Sequence, residues 1–185
     1  MSQRATSLIR KALPVVVFLF LIPVVAIAAA ALSARFGDGP SVVFEGGPLV
    51  AGEMVSGAEP DWAFARDVGT IDLQLLDPPR SRRIWIAEHE GKVYIVSGYM
   101  GNMIGRLWKR WPAQAERDGR AIIRIDGKRY PRTLVRIQSG AVVEGVLAEL
   151  RRKYGFEATP ADVAGGNSWL FELAPPTWDV TGADR

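Results

Sequence analysis

The chain has no cysteine and only one histidine among its 185 residues. Without cysteine there are no disulfides, thiolate metal sites or cysteine nucleophiles. The single histidine, His89, excludes a histidine-cluster metal site, and a Ser–His pair would have to use it. His89 stands between Glu88 and Glu90 in a predicted turn, where a solvated side chain is expected. We therefore predict no metal site.

Several catalytic motifs are also missing. The sequence has neither a G-x-S-x-G nucleophile elbow nor a G-x-x-x-x-G-K-[ST] phosphate loop. No serine or tyrosine stands out as a catalytic residue, so the catalytic residues stay unassigned.

The chain has little excess of charge of either sign. Its net charge of +3 comes from the first 32 residues, which hold Arg4, Arg10 and Lys11 and no acid. The remainder is neutral and carries no recognition motif, so no nucleic acid is expected as a partner. Residues 80–136 nevertheless contain 14 basic and 5 acidic residues. This stretch could bind an anionic small molecule or form a solvated face balanced by its neighbours.

One long apolar run is present. Residues 12–32 carry no charge, and 21 helical residues are enough to cross the hydrocarbon of a bilayer. The basic residues of the 1–11 tail predict a cytoplasmic N-terminus and a domain on the periplasmic or extracytoplasmic side. A cleaved signal peptide is the alternative, although the run exceeds the usual core of about 7–15 residues. Either reading exports the domain.

The remainder divides into a Gly/Pro-rich linker (33–60), a β-rich domain (61–174) and a short tail (175–185). The linker carries one possible strand at 41–44. Alternating or apolar runs predict six strands in the domain, at 70–75, 82–88, 92–97, 120–125, 128–137 and 168–173. Apolar residues at helical spacing predict one helix over 141–154, and Gly155 is placed to end it.

Two turns predict hairpins. Asp126-Gly127 separates two of the strands and suits a type I′ turn, while the turn ending in Gly91 should pair 82–88 with 92–97. Pro131 cannot donate to a ladder, so it predicts an edge or a bulge. We expect a mainly β, α+β fold: a six-stranded antiparallel barrel, closed to remove its edges, with one inserted helix.

The most suggestive stretch for binding is SGYMGNMIGRLWKRW, residues 97–111. Glycines let a backbone turn its amides towards an anion, and nearby guanidinium and ammonium groups supply the countercharge. Ser81, Arg82 and Arg83 start an upstream strand and could reach the same place. The alternative is a surface loop pinned by its two tryptophans.

The runs SRRIWIAEHEGKVYIVSG, KRWP and DGRAIIRIDGKRYPRTLVRI, in this order, resemble the split β-barrel proteins over about residues 61–174. These include pyridoxamine-phosphate-oxidase-like flavin binders and deazaflavin-dependent nitroreductases. The resemblance implies an FMN or deazaflavin cofactor, oxidoreductase activity and a homodimer. It implies cofactor contacts at Arg82, Trp85, Ser97, Gly98, Arg106, Lys109 and Arg110. The alternative is a cofactor-free exported barrel that serves as an envelope binding or assembly module.

Overall fold

The computed structural model describes residues 2–41, 44–98, 100 and 110–182, with side chains from residue 17 onward. It begins with helix α1 (Ser2–Ala34). The segment Val17–Ala34 of this helix is long and apolar enough to cross a bilayer, and none of it is buried against the rest of the protein. The apolar helix predicted at 12–32 is therefore present. Its orientation and its retention in the mature protein stay predictions.

A single curled sheet forms the body of the domain. Its strands, in chain order, are β1 (Glu53–Met54), β2 (Thr70–Leu76), β3 (Pro79–Trp85), β4 (Ala87–His89), β5 (Lys92–Ser97), β6 (Arg120–Ile125), β7 (Lys128–Ile137) and β8 (Trp169–Ala174). The spatial order is β3-β2-β6-β7-β8-β5-β4, all antiparallel, and β1 pairs in parallel with β7.

This architecture corrects the predicted six-stranded closed barrel, because the sheet has eight strands among the described residues and forms an open half-barrel. One extra strand, β1, comes from the segment predicted as a linker. The other arises because the predicted strand 82–88 divides at Ile86. On one side of Ile86, Trp85 pairs with Thr70 of β2; on the other, Ala87 pairs with Tyr94 of β5. The two edge strands of the sheet therefore follow one another in the chain.

The backbone of Ile86 bonds to a helix instead of a strand. Its amide donates to Tyr154 Oη at 3.2 Å. Its carbonyl accepts from Tyr154 Oη at 2.7 Å and from Lys153 Nζ at 2.8 Å. These bonds satisfy the backbone groups of a fully buried residue, as burial requires, and they mark the place where the chain leaves one edge of the sheet for the other.

The turns agree with the sequence. Asp126 and Gly127 both have positive φ (48° and 74°), as a type I′ turn requires, and they join β6 to β7. Glu90 and Gly91 (φ 51° and 73°) join β4 to β5, so the predicted hairpin exists with a short first strand. Pro131 lies opposite Ile122; on the other side of β7 it falls between the residues paired with β1 and those paired with β8. It therefore occupies a gap in the ladder.

The helices of the described domain are α2 (Trp111–Arg117), α3 (Val142–Tyr154) and α4 (Pro160–Ala164), with 3₁₀ turns at Trp62–Arg66 and Val180–Gly182. Helix α3 is the predicted helix, and Gly155 ends it in the left-handed conformation (φ 62°). The apolar face of α3 packs on the outer, convex face of the sheet. A second group of buried apolar side chains, the inner core, fills the concave side of the sheet. Helix α3 therefore covers part of the outer face of the sheet, and the inner core fills the space that the curled sheet encloses.

Residues 44–55 of the predicted linker lie against the sheet. Leu49 is 2% exposed, and its amide donates to Gln74 Oε1 at 2.6 Å. Arg129 donates to the carbonyls of Leu49 and Gly52, both at 3.0 Å. The strand predicted at 41–44 falls partly outside the described residues. This Gly/Pro-rich segment is therefore held to the domain by hydrogen bonds, in addition to contributing β1.

Candidate functional site

A cavity of about 930 Å³ lies where the half-barrel is open, between β3 and β5. Strand β4 pairs only with residues 92–94 of β5. In the described part of the chain, residues 95–97 therefore have a paired strand on the β8 side alone. The β3 residues 82–85 lie across the resulting gap between β3 and residues 95–97 of β5, and we call this gap the seam. The volume falls in the range of small-molecule sites, about 300–1,000 Å³.

Arg82 supplies the cationic wall of the cavity. It pairs with Leu73 of β2, a residue of the inner core, so its side chain points into the curl of the sheet. Its Nη1 lies 3.0 Å from Glu45 Oε1, and its guanidinium lies 5.8 Å from the centre of the Trp111 ring. Burial lowers the pKa of Arg82, and the carboxylate of Glu45 acts against this shift.

Two buried polar atoms in the cavity have no hydrogen-bond partner among the described residues. They are Arg82 Nε and Ser97 Oγ, and the two residues are 9% and 2% exposed. Ser97 pairs with Trp169 at the end of β5 and faces the inner core, as Arg82 does. Buried polar groups are nearly always hydrogen-bonded, and leaving one unpaired costs about 1–3 kcal/mol. The cavity therefore presents a guanidinium donor and a hydroxyl whose hydrogen-bonding capacity is unused by the described residues.

An aromatic wall lines the other side. The Trp85 ring, 41% exposed, stacks on Tyr154 with centroids 4.7 Å apart and planes 5° apart. Phe156 meets Trp85 edge-on at 6.3 Å. A Cβ at Gly98 would lie 2.9 Å from the Phe156 ring, so a larger residue there would push the ring away. The wall offers flat apolar surface to a planar ligand.

Tyr154 is fixed as a donor within this wall. Burial raises the pKa of Tyr154, although the hydrogen bond with Ile86 lowers it in part. The hydroxyl therefore stays protonated near neutral pH, and its single proton is shared between the carbonyl oxygens of Gly69 and Ile86, which lie 2.6 and 2.7 Å from Tyr154 Oη. Its hydrogen bonds are thus committed to the backbone, and the ring serves as a wall.

The described lining carries two basic residues, Arg82 and Arg83, and two acidic residues, Glu157 and Asp162, so its formal charge is balanced. Arg83 Nε pairs with Asp72 Oδ1 at 3.2 Å, outside the curl. Asp162 also lines the cavity, and hydrogen bonds from Thr159 lower its pKa, so it stays ionised. Arg82 is therefore the described cation best placed to meet an anionic group, since it points inward and keeps a donor unused.

The structure brings together four of the seven predicted contacts: Arg82, Trp85, Ser97 and Gly98 all line this cavity. Arg110 is exposed beside Trp111 and does not line it. Arg106 and Lys109 lie outside the described residues. Sequence reasoning missed Tyr154 and Phe156, whose only local signal is two aromatic residues that flank the helix-ending Gly155.

The chain matches no known protein family, and no curated protein shows significant similarity to it. The site is therefore defined by its own geometry. It is a cavity at the open seam of a curled sheet, with inward-facing arginine and serine on one side and stacked aromatic rings on the other.

Replacing Ser97 with alanine should stabilise the ligand-free protein by about 1 kcal/mol, because it removes a buried hydroxyl without a partner. The same change should weaken binding of any ligand that bonds to this hydroxyl. Ser81→Ala is the matched control: Ser81 is also fully buried, but its Oγ donates to Gly47 O at 2.6 Å, so its loss should destabilise. Thermal unfolding of both variants tests this, and destabilisation by Ser97→Ala would contradict it.

Proposed function

We propose that the protein is a single-pass, membrane-anchored domain that binds an FMN or deazaflavin cofactor in the seam cavity and acts as an oxidoreductase. The observation that carries the proposal is the pair of unsatisfied groups, Arg82 Nε and Ser97 Oγ, inside a cavity that also holds stacked aromatic rings. A phosphate with a flat heteroaromatic ring needs these two kinds of surface. The residues present therefore fit the group that the resemblance implies.

In this assignment each wall has a distinct role. Arg82 and Ser97 hold the phosphate through donors that have no other partner. Trp85 and Tyr154, with Phe156 at their edge, cover a face of the ring and exclude water from it. The bound cofactor supplies the hydride or electron transfer. The protein supplies binding and orientation, and no described side chain is assigned a proton-transfer role.

The membrane part of the proposal rests on helix α1. Its segment Val17–Ala34 has the length and composition of a membrane span, and Arg4, Arg10 and Lys11 precede that segment. Basic residues remain on the cytoplasmic side of a span. The N-terminus is therefore assigned to the cytoplasm and the domain to the periplasmic or extracytoplasmic side.

Titrating the full-length protein in detergent with FMN and with a deazaflavin tests the proposal. We expect the fluorescence of one of these two cofactors to be quenched, saturably, as it binds to the protein. Arg82→Met should weaken that binding about 10- to 100-fold, because a hydrogen bond to a charged group contributes about 1.5–3 kcal/mol. Binding of neither cofactor at high concentration would reject the cofactor and favour the cofactor-free envelope module.

Arg132→Met is the control for the Arg82 variant. Arg132 is also buried, also keeps an Nε without a partner among the described residues, and also pairs with one glutamate, Glu59. It does not line the cavity. Its replacement should leave cofactor affinity unchanged, so an equal loss in the two variants would point to general destabilisation.

A further inference from the structure

The chain crosses itself directly after α1. A Cβ on Gly46 would lie 1.8 Å from the carbonyl oxygen of Gly39, and a Cβ on Gly47 would lie 2.6 Å from that of Gly37. These are backbone atoms, which cannot turn aside as a flexible side chain can. We call this contact between residues 37–39 and 46–47 the glycine crossing. Only glycine at positions 46 and 47 allows it.

The glycine crossing joins the end of α1 to the sheet. On one side, Gly47 N donates to the carbonyl of Ala34, the last residue of the helix, at 3.1 Å. On the other, Gly46 and Ser81 of β3 exchange two backbone hydrogen bonds of 2.9 and 3.1 Å. Two consecutive residues thus connect the helix end to an edge strand, which fixes how the domain sits relative to α1.

Apolar side chains are exposed beside this connection. Phe36 is 84% exposed and Val50 is 68% exposed. The carboxylate of Asp38 accepts from the amides of Val50 and Ala51 at 2.7 and 3.2 Å, which keeps Val50 close to the helix end. Large apolar side chains placed at the end of an apolar helix are suited to the interfacial layer of a membrane.

We propose that residues 35–41 and 44–50 form a surface that rests on the bilayer in which α1 is embedded, and that the glycine crossing holds the domain there in one orientation. The bilayer is the occupant because Val17–Ala34 ends at the crossing itself, which places Phe36 and Val50 at the level where the hydrocarbon ends. The inference rests on the membrane part of the proposed function and is independent of the cofactor.

This docking has a consequence for the cavity. Ser81, bonded to the glycine crossing, is followed in β3 by Arg82. The wall of the cavity that carries the guanidinium therefore lies close to the lipid headgroups.

The absence of cysteine from the chain allows a direct test with single labelled cysteines. Val50→Cys and Val135→Cys, each carrying a bimane fluorophore, are reconstituted as full-length protein in phosphatidylcholine vesicles that contain nitroxide-labelled lipid. Val135 is the reference because it is also exposed (43%) and lies on β7, the third strand from β3. We expect strong quenching at position 50 and weak quenching at position 135.

Adding Gly46→Ala to the Val50→Cys protein tests the glycine crossing. It should lower quenching at position 50 towards the level of position 135, because the crossing must open to admit the methyl group. Gly69→Ala is the matched control, since a Cβ there has nothing within 4 Å and its φ is not left-handed. Gly47→Ala, whose nearest clash is 2.6 Å, replaces Gly46→Ala if that variant does not fold.

Equal quenching at positions 50 and 135 in membrane-inserted protein would overturn the docked orientation. Unchanged quenching at position 50 in a folded glycine variant would overturn the role of the glycine crossing. Release of the protein by alkaline carbonate would overturn the membrane anchor itself. The cofactor titration in detergent is unaffected by any of these results, so the failures are distinguishable.

Discussion

Replacing Lys153 with methionine is expected to lower the free energy of unfolding by about 3 kcal/mol. The ammonium at the end of α3 donates to three backbone carbonyls, those of Ala65, Val68 and Ile86, at 3.3, 2.7 and 2.8 Å. Burial lowers the pKa of Lys153, and the nearby Glu149 acts against this shift. Methionine keeps the apolar stem but removes all three donors, so partly buried carbonyls lose a charged partner.

Arg151→Met is the control for this variant. Arg151 lies in the same helical turn, but it is half exposed, and among the described residues its one ion pair is with the exposed Glu157, at 3.2 Å. Exposed ion pairs contribute about 0–1 kcal/mol, so this change should have little effect. Urea unfolding of the two proteins, followed by tryptophan fluorescence, provides the measurement. Equal losses in the two variants would show that the carbonyl contacts of Lys153 do not stabilise the fold.

The contacts that Lys153 makes to stabilise the fold lie next to the seam. Lys153 and its neighbour Tyr154 both bond to the carbonyl of Ile86, where the chain leaves β3 for β4. Tyr154 is also part of the aromatic wall against Trp85. The end of α3 therefore positions two features at once: the point where β3 gives way to β4, and one wall of the cavity.

Features determined by neighbours in the chain could be predicted from the sequence. Strands β6 and β7 have the predicted bounds, because Asp126-Gly127 adopts the turn that those residues favour. Helix α3 ends at Gly155 because a left-handed residue there costs little for glycine. In each case the deciding interaction lies within a few residues.

Features determined by distant partners could not be predicted. The run 82–88 looks like one strand, and its division at Ile86 depends on Lys153 and Tyr154, more than 60 residues later. The open sheet follows from this division. The candidate site shows the same limit: the 97–111 stretch indicates Ser97, the strand upstream indicates Arg82, and the resemblance implies both. Tyr154 and Phe156 reach the cavity only through packing of α3 on the sheet.

Arg124→Met is expected to destabilise the domain by about 2–3 kcal/mol, because Arg124 is the cation shared by two carboxylates. On β6, its Nη1 lies 2.8 Å from Asp38 Oδ2 and its Nη2 lies 3.1 Å from Asp72 Oδ2. The Arg124 side chain is only 17% exposed. Because Asp38 is partly solvated, the expected loss of stability is no larger than the smallest loss expected when a fully buried ion pair is broken. The change should also loosen residues 38–51, which Arg124 ties to the sheet.

The destabilisation caused by Arg124→Met should become smaller in acid, and this direction follows from the pKa of Asp38. Burial raises the pKa of Asp38, but hydrogen bonds from Val50, Arg124 and Ala51 outweigh it and leave the pKa below 3.8. The stabilisation is therefore complete above pH 3.8 and is lost as the pH falls through the lowered folded-state pKa. Urea unfolding of wild type and variant across this range tests it. A difference that stays constant from neutral to acid pH would mean that Asp38 is not the partner that matters.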